Sequence, residues 1–331
     1  MDLYERILGT VVGQAVGDAS GFPFEGWPAN KIQPFLDTIL KDFIKHPCGL
    51  FQPGQYTDDT QMMREILVSI VEKQNLDPED IAKKFMNLWL DNQIVGQGQS
   101  CRESILRLIN NECTWMDSGA EEGRAGNGAA MRAAAVGIFN YKDPENLLWN
   151  VILVSRITHK DARACAGAVA VAQTIAYNLR ESTFKSDKLV RILYNSVTTI
   201  CEELALYIKE LPKLIKMNDD KAIKIIAHMG ITDEMKPEFH SITPFVIPTV
   251  IISLWSFLKS PLNYFDCVTR TISVGGDVGT AAAITGAFCG SLNGIYAIPD
   301  NLIRKINDRG KFGFNFFESV TKKMIQHVFK K

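Results

Sequence analysis

The sequence predicts an all-α protein, and three observations lead to this prediction. Apolar residues recur at helical spacing through most of the 331 residues. Alternating runs of β-branched residues bounded by turns, which are typical of strands, are almost absent. There is no short-period repeat, and no stretch has the length or composition of an interdomain linker. We therefore expect residues 1–331 to form one compact multi-helix domain.

The first predicted helix carries two different stripes of residues. Its apolar stripe consists of Leu3, Ile7, Leu8, Val11, Val12 and Ala15. Glycines recur every four residues on another face, at Gly9, Gly13, Gly17 and Gly21. Such a row most often lets a neighbouring helix approach closely. The row therefore predicts a close helix contact and does not by itself indicate a function.

The same periodicity predicts further helices along the chain. They fall near residues 79–91, 101–110, 128–139, 145–157, 161–179, 187–208, 219–228, 244–258, 263–273, 280–295 and 316–329. The most polar part of the chain, residues 180–243, is expected to consist of surface helices and loops.

The composition excludes several classes of protein. Hydrophobic residues are 46% and charged residues 22% of the chain, which is ordinary for a globular protein. The net charge of −1 provides no basic field for nucleic acid and no polybasic membrane patch. The seven cysteines are scattered, which argues against a disulfide framework and against structural zinc. The start of the chain lacks a signal-peptide layout, and the longest apolar run, 245–255, is too short to span a membrane. We expect a soluble cytoplasmic monomer with neither a membrane nor a nucleic-acid partner.

The segment GQYTDDTQM places two adjacent carboxylates, Asp58 and Asp59, before an apolar run with the helical period. Two interpretations are open. In the first, Thr57 is the N-cap of a helix, and both carboxylates lie in its first turn, where the helix dipole favours negative charge. In the second, the carboxylates and the threonine hydroxyl are ligands of a hard cation such as Mg²⁺, Mn²⁺ or Ca²⁺.

Two further joints between predicted helices carry similar side chains. VGDASGFPFEG ends the first helix and contains Asp18 and Glu25. VGGDVGTAAAITGAFCG places Asp277 and Thr280 at a helix start, which repeats the carboxylate and hydroxyl donors of the TDD segment. Two helix starts with oxygen donors could face one metal centre, whereas helix capping does not require this repetition.

A glycine loop and a histidine complete the candidate features. EEGRAGNGAAMR (121–132) runs into the alanine-rich helix predicted at 128–139. Glycines bring backbone N–H groups close to a ligand and a helix N-terminus attracts anions, so the loop could hold a phosphate or could equally be a flexible connection. His159 precedes another predicted helix, and a lone histidine there is more often a surface or capping group than a catalytic one.

Taken together and in this order, these segments resemble the ADP-ribosylglycohydrolase family, which includes the dinitrogenase-reductase-activating glycohydrolases. The resemblance covers most of the chain. Its motifs are GTVVGQAVGDASGFPFE, YTDDTQM, GQGQSCRESILRLI, GNGAAMR, ITHKDA and GGDVGTAAAITGAFCGSLNGIYAIP. No single motif decides it, but six of them in sequence at sensible spacing are specific.

The resemblance implies a compact all-α fold whose cleft holds two divalent cations, Mg²⁺ or Mn²⁺. It implies a hydrolase that removes ADP-ribose from an arginine or serine side chain or a related conjugate, so its partner is an ADP-ribosylated protein or ADP-ribose conjugate. The implied metal ligands are Thr57, Asp58, Asp59, Asp277 and Thr280. The implied substrate-binding residues are Gly123, Arg124, Gly126, Asn127, Gly128 and His159, and the implied catalytic carboxylates are Glu25, Asp58 and Asp59.

The sequence departs from the family pattern at Gly279. The family motif usually reads glycine–glycine–aspartate–x–aspartate followed by threonine or serine, and here GGDVGT has glycine at the second aspartate, a metal ligand in the family. The chain could be a hydrolase with one metal or a rearranged site, an engineered Asp-to-Gly variant, or a catalytically retired member that binds ADP-ribose-like ligands or has a structural role. Because the other implied ligands are present, we favour a hydrolase, intact or impaired. If position 279 is a vacancy, Gly279→Asp should tighten binding of a second cation and raise activity.

Overall fold

The structure is a computed structural model, and it describes residues 1–231 and 241–329. Within these residues the protein is almost entirely helical, which confirms the all-α prediction. The α-helices are α1 (Leu3–Gly21), α2 (Ala29–Ile32), α3 (Asp58–Lys73), α4 (Pro78–Leu90), α5 (Gln99–Ile109), α6 (Ala134–Phe139), α7 (Pro144–Arg156), α8 (Ala162–Arg180), α9 (Ser186–Thr198), α10 (Glu202–Lys216), α11 (Asp219–Ala227), α12 (Val246–Lys259), α13 (Tyr264–Ser273), α14 (Val278–Asn293), α15 (Asp300–Ile303) and α16 (Phe314–Lys323). Short 3₁₀ segments lie at Phe22–Phe24, Gln33–Phe35 and Ile295–Ala297, and a π-helical turn at Met324–Val328 follows α16.

Two predicted helices differ from the observed ones. The helix predicted at 128–139 begins only at Ala134, because the residues after the glycine loop form a series of turns. The helix predicted at 187–208 is two helices, α9 and α10, because Cys201 between them has an extended backbone. The predicted polar stretch 180–243 includes residues 232–240, which lie outside the described residues.

The central contact of the fold is a close antiparallel pair formed by α1 and α14. A Cβ atom added at Gly13 would lie 2.4 Å from the carbonyl oxygen of Gly286, and one at Gly17 would lie 2.1 Å from that of Ala282. Real side chains do not approach backbone atoms so closely, so the two helices can pack at this distance only because the positions are glycine. The close helix contact predicted from the glycine row is thereby confirmed. The pairing places the C-terminal end of α1 beside the N-terminal end of α14.

A very short sheet fixes the same junction. Strand β1 (Trp27–Pro28) pairs antiparallel with β2 (Gly275–Gly276), and the N–H of Gly26 donates to the Gly276 carbonyl over 3.0 Å. Gly275 and Gly276 have φ of +78° and +91°, a region that favours glycine. The loop after α1 is thereby held next to the segment that leads into α14.

The rest of the architecture surrounds this pair. Most of the buried hydrophobic side chains in the described residues form one continuous cluster. All seven cysteines are free, as their scattered spacing predicts. Across residues 1–231 and 241–329, no helix combines the length and apolar character needed to cross a bilayer.

Candidate functional site

A cleft of about 400 Å³ opens where α3, α5, α14 and the loop after α1 meet the glycine loop. One side, which we call the acidic wall, consists of Glu25, Thr57, Asp58, Asp59, Asp277 and Thr280. The other side, which we call the glycine wall, consists of Gly126, Asn127, Gly128 and His159. The cleft therefore collects most of the residues implied by the sequence, although they are far apart in the chain.

The acidic wall joins the starts of two helices. Thr57 caps α3, because its hydroxyl oxygen accepts a hydrogen bond from the backbone N–H of Asp59 over 3.3 Å. From α14, the Thr280 hydroxyl donates to Asp59 Oδ1 over 3.1 Å. The capping interpretation of the TDD segment is thus correct, and the two helix starts also face each other across a single carboxylate.

The carboxylates of this wall lack compensating charge. Burial, and then the negative charge of Asp18, raise the pKa of both Asp58 and Asp59. Burial also raises the pKa of Asp277, against the opposing effect of the Asn127 side chain, whose Nδ2 donates to Asp277 Oδ2 over 2.7 Å. No lysine or arginine is among the described residues that line the cleft. The wall therefore concentrates negative charge that only protonation or a cation can neutralise.

This donor chemistry fits a divalent cation. Carboxylates together with threonine hydroxyls are the oxygen ligands that Mg²⁺ and Mn²⁺ prefer. In the described part of the chain, no three His, Cys, Asp or Glu side chains are arranged to hold a metal ion as they stand. We give more weight to the donor types and the uncompensated charge, because Thr57 and Thr280 supply ligand oxygens outside those four residue types.

Glu25 occupies the space that a side chain at position 279 would need. A Cβ atom added at Gly279 would lie 2.0 Å from Glu25 Oε1 and 3.0 Å from Glu25 Cδ. Gly279 lies in the first turn of α14, and its φ is not positive. The substitution Gly279→Asp would therefore cause no backbone strain. Whether position 279 is a vacancy at the metal site stays a prediction, and Glu25 gives a competing interpretation, since its carboxyl group already lies in that space from the loop after α1.

The pKa of Glu25 is raised by burial of its carboxyl group and then by the charges of Asp277, Asp18 and Asp58. The residue as a whole is nonetheless exposed at the mouth of the cleft. Water at the mouth of the cleft partly screens these charges. The carboxyl group of Glu25 thus lies close to the other carboxylates of the acidic wall, while the rest of the residue is exposed to solvent.

The glycine wall is neutral and tightly packed. A Cβ atom at Gly128 would lie 2.7 Å from Cys101 Sγ and 2.8 Å from His159 Cε1, so this position requires glycine. Burial, and then the charge of Arg132, lower the pKa of His159 to about 3, and its ring is neutral at physiological pH. The wall therefore offers neutral polar groups close to the backbone.

Two of the implied substrate-binding residues lie elsewhere. Gly123 and Arg124 are outside the lining of the cleft. The N–H of Gly123 donates to Asp161 Oδ2 over 2.8 Å, and the Arg124 guanidinium forms an ion pair with Glu103. The helix N-terminus expected beside the glycine loop is also absent there, because α6 starts at Ala134. The loop therefore approaches the cleft only through its second half.

Sequence reasoning noted Asp18 after the first helix but gave it no role, and it missed Arg132. Both oxygens of the buried Asp18 carboxylate accept hydrogen bonds, from the backbone N–H and hydroxyl groups of Thr57 and Thr60 over 2.6–3.1 Å. The buried Arg132 donates to the Gly128 carbonyl over 2.7 Å. The available signal was a charged residue within an otherwise small or apolar run, as in QAVGDASG and GAAMRAAA.

Comparison with known proteins agrees with this architecture. A protein from Rhodospirillum rubrum described as an ADP-ribosyl-[dinitrogen reductase] glycohydrolase is 27% identical, covering 92% of this chain and 91% of its own. An ADP-ribosylhydrolase ARH3 from Xenopus tropicalis is 28% identical over 89% of each chain. A solved structure described as an ADP-ribosylglycohydrolase-related protein complex covers 99% of both chains with a TM-score of 0.73 at 20% identity, a similarity of fold. The profile of the ADP-ribosylglycohydrolase family itself matches residues 1–328, and the chain belongs to that family.

Proposed function

We propose that the protein hydrolyses the bond between ADP-ribose and its acceptor, an arginine or serine side chain or a related conjugate. The observation that carries this proposal is the pairing of two unlike walls in one cleft. The acidic wall presents carboxylates without a basic partner, and the facing glycine wall presents neutral polar groups. Family membership and the names of the relatives support the same activity.

In this proposal the glycine wall binds the pyrophosphate and the distal ribose. Gly126 and Gly128 allow a ligand to approach the backbone, and Asn127 and His159 provide side-chain donors at the same place. Phosphate binding by neutral donors is common at glycine-rich loops. Gly123 and Arg124 are not assigned a direct contact, because they lie outside the lining of the cleft.

The acidic wall would hold Mg²⁺ or Mn²⁺. The residues proposed to bind the metal are Thr57, Asp58, Asp59, Asp277 and Thr280. A divalent cation supplies Lewis acidity and orients oxygen ligands. Whether one or two ions bind is open to measurement, because Gly279 removes one carboxylate and Glu25 brings another to the same space.

The remaining chemistry is assigned to the carboxylates themselves. Cleavage at the ribose anomeric carbon builds positive charge on the sugar, so it needs a base for the attacking water and a proton for the leaving atom. Glu25 suits the first task, because it reaches solvent while its carboxyl group contacts the start of α14. Asp58 and Asp59 share this assignment, because burial raises the pKa of both carboxyl groups and makes them stronger bases than exposed aspartates.

A second candidate function is binding of ADP-ribose-like ligands without hydrolysis, or a structural role. The observation that favours it is Gly279, since a lost metal ligand is a common step towards an inactive site. The position of the Glu25 carboxyl group supports the hydrolase instead, because it restores an acidic group to the same space.

The test is incubation with ADP-ribosylated arginine and serine peptides in Mg²⁺ or Mn²⁺, with release of free ADP-ribose measured. We expect release with one of the peptides, and its loss when the ions are chelated. Calorimetry with free ADP-ribose distinguishes the alternatives: binding without release supports a retired member that binds the ligand, and neither binding nor release contradicts both the hydrolase and the binding role and leaves the structural role. Within the same proposal, the protein acts in the cytoplasm as a monomer, which size-exclusion chromatography with light scattering tests for oligomeric state.

A further inference from the structure

A chain of hydrogen bonds lies behind the glycine wall. Arg132 Nη2 donates to the hydroxyl oxygen of Thr158 over 2.7 Å, and this oxygen lies 2.8 Å from His159 Nδ1. All three residues are buried, with exposed fractions of 0%, 0% and 1%. The chain therefore runs from a cation inside the protein to a histidine that lines the cleft.

The direction of the protons along this chain follows from the groups involved. A guanidinium can only donate, so Arg132 fills one lone pair of the Thr158 oxygen. The Thr158 hydroxyl can donate one hydrogen bond, and Nδ1 of His159 is the best acceptor beside it. The neighbouring thiol of Cys101 stays protonated, because burial raises its pKa to about 11, and it is a weak acceptor.

The opposite arrangement leaves a buried group unsatisfied. If Nδ1 carried the proton and donated it to Thr158, the hydroxyl oxygen would accept two hydrogen bonds and its own proton would lack a good acceptor. An unsatisfied buried donor is unfavourable, and the imidazole nitrogen removes this penalty when it accepts.

We propose that Arg132 and Thr158 are positioning residues that fix His159 as the tautomer with its proton on Nε2. This nitrogen lies 3.1 Å from where a Cβ atom at Gly126 would be, and the missing side chain leaves it uncovered towards the cleft. The hydrogen bond that the described part of the chain gives to the ring nitrogens is the one at Nδ1. His159 therefore presents a fixed N–H donor to an oxygen atom of a bound ligand.

The neutral state of the ring supports this assignment. Burial, and then the charge of Arg132, lower the pKa of His159 to about 3, so the imidazole carries one proton rather than two. A neutral ring has one donor and one acceptor nitrogen, and the hydrogen bond at one of them decides the role of the other. Under the proposed function, on which this step rests, the acceptor is a phosphate or ribose oxygen of ADP-ribose.

The tautomer can be measured directly in the ligand-free, full-length protein by ¹⁵N NMR after histidine-selective labelling. The chain has five histidines, and the signals that disappear in His159→Gln identify this one. We expect a protonated Nε2 and an unprotonated Nδ1 in the wild type. Thr158→Val, which keeps the shape but removes the hydroxyl, should abolish this preference, and the matched control Thr158→Ser should preserve it. A wild-type ring protonated at Nδ1, or an unchanged tautomer in Thr158→Val, would overturn the inference.

Calorimetry with ADP-ribose then tests the consequence separately. Thr158→Val should weaken binding by about tenfold, which is the scale of one hydrogen bond to a charged group, and Thr158→Ser by less than about twofold. If the NMR result is as expected and no form binds ADP-ribose, the tautomer assignment stands and the proposed substrate is wrong. If the wild type, Thr158→Val and Thr158→Ser all bind ADP-ribose with the same affinity, Nε2 does not donate a hydrogen bond to this ligand.

Discussion

The two walls of the cleft face the same space but are stabilised in opposite ways. The acidic wall gathers carboxylates that repel one another, and its main internal support, Asp18, is itself acidic. The glycine wall has a buried cation, Arg132, behind neutral side chains, with hydrogen bonds directed towards the loop. The acidic wall therefore needs a cation or protons to offset its negative charge, whereas internal hydrogen bonds already hold the side chains of the glycine wall in position before a ligand arrives.

The largest effect should follow from neutralising the acidic wall. Asp58→Asn and Asp59→Asn keep the side-chain shape but remove a negative charge and a ligand oxygen. Each is expected to weaken Mn²⁺ binding by about 100-fold or more and to abolish hydrolysis. Calorimetry with Mn²⁺ and an ADP-ribose release assay provide the measurements.

A matched control for these variants is Asp300→Asn, on an exposed carboxylate that pairs with Arg304. It should leave metal affinity unchanged, since surface ion pairs contribute little. Should Asp58→Asn and Asp59→Asn both keep wild-type affinity for Mn²⁺, helix capping would be the whole role of the TDD segment.

A second prediction concerns the support of the acidic wall. Asp18→Asn turns an acceptor oxygen into a donor that faces the N–H and hydroxyl groups of Thr57 and Thr60. We expect the free energy of unfolding to fall by about 2 kcal/mol, because buried donors lose their acceptor. Denaturant titration followed by circular dichroism measures this, with the exposed Asp42→Asn as control. Equal stability of the two variants would mean that Asp18 does not hold the start of α3.

A third prediction separates Glu25 from position 279. An alanine at Gly279 would meet the end of the flexible Glu25 side chain, so the fold should tolerate it while the carboxyl group moves away. Gly279→Ala and Glu25→Gln should each lower turnover by about tenfold, and the double variant should be no worse than either, since both changes remove the same contact. Gly279→Asp should give no gain of turnover in the wild type and should recover turnover in Glu25→Gln. If the loss of turnover in the double variant equals the combined losses of the two single variants, Glu25 and Gly279 act independently.

The smallest expected effect is a dependence of stability on pH in the metal-free protein. Burial, and then the charge of Asp18, raise the pKa of Asp58 to about 7, from an ordinary value of 3.8. A raised pKa in the folded state contributes stability that is present below about pH 4 and is lost as pH rises towards 7. The wild type should therefore lose more stability than Asp58→Asn over this range. Denaturant titrations at several pH values test this, and a wild type that gains stability relative to the variant would contradict it.

The sequence predicted the acidic wall better than the glycine wall, for a physical reason. Carboxylates and threonines at helix starts are visible as local patterns, and Thr57 and Asp277 are found at the helix starts where the patterns placed them. Contacts between distant segments have no such pattern. The contact of Glu25 with Gly279 and the link from Arg132 to His159 depend on how the helices pack, so they emerged only from the structure.

The glycine contact between α1 and α14 also has a consequence for the timing of folding during synthesis. Because α1 spans residues 3–21 and α14 spans residues 278–293, α1 leaves the ribosome long before α14. A contact between segments so distant in sequence cannot form until α14 has emerged as well. The acidic wall, which includes Glu25 after α1 and Asp58 and Asp59 at the start of α3, is therefore incomplete until α14 has been synthesised. A nascent chain that ends before residue 278 lacks the Thr280 donor and the close contact that positions Glu25, and an arrested chain of that length would lack the completed cleft.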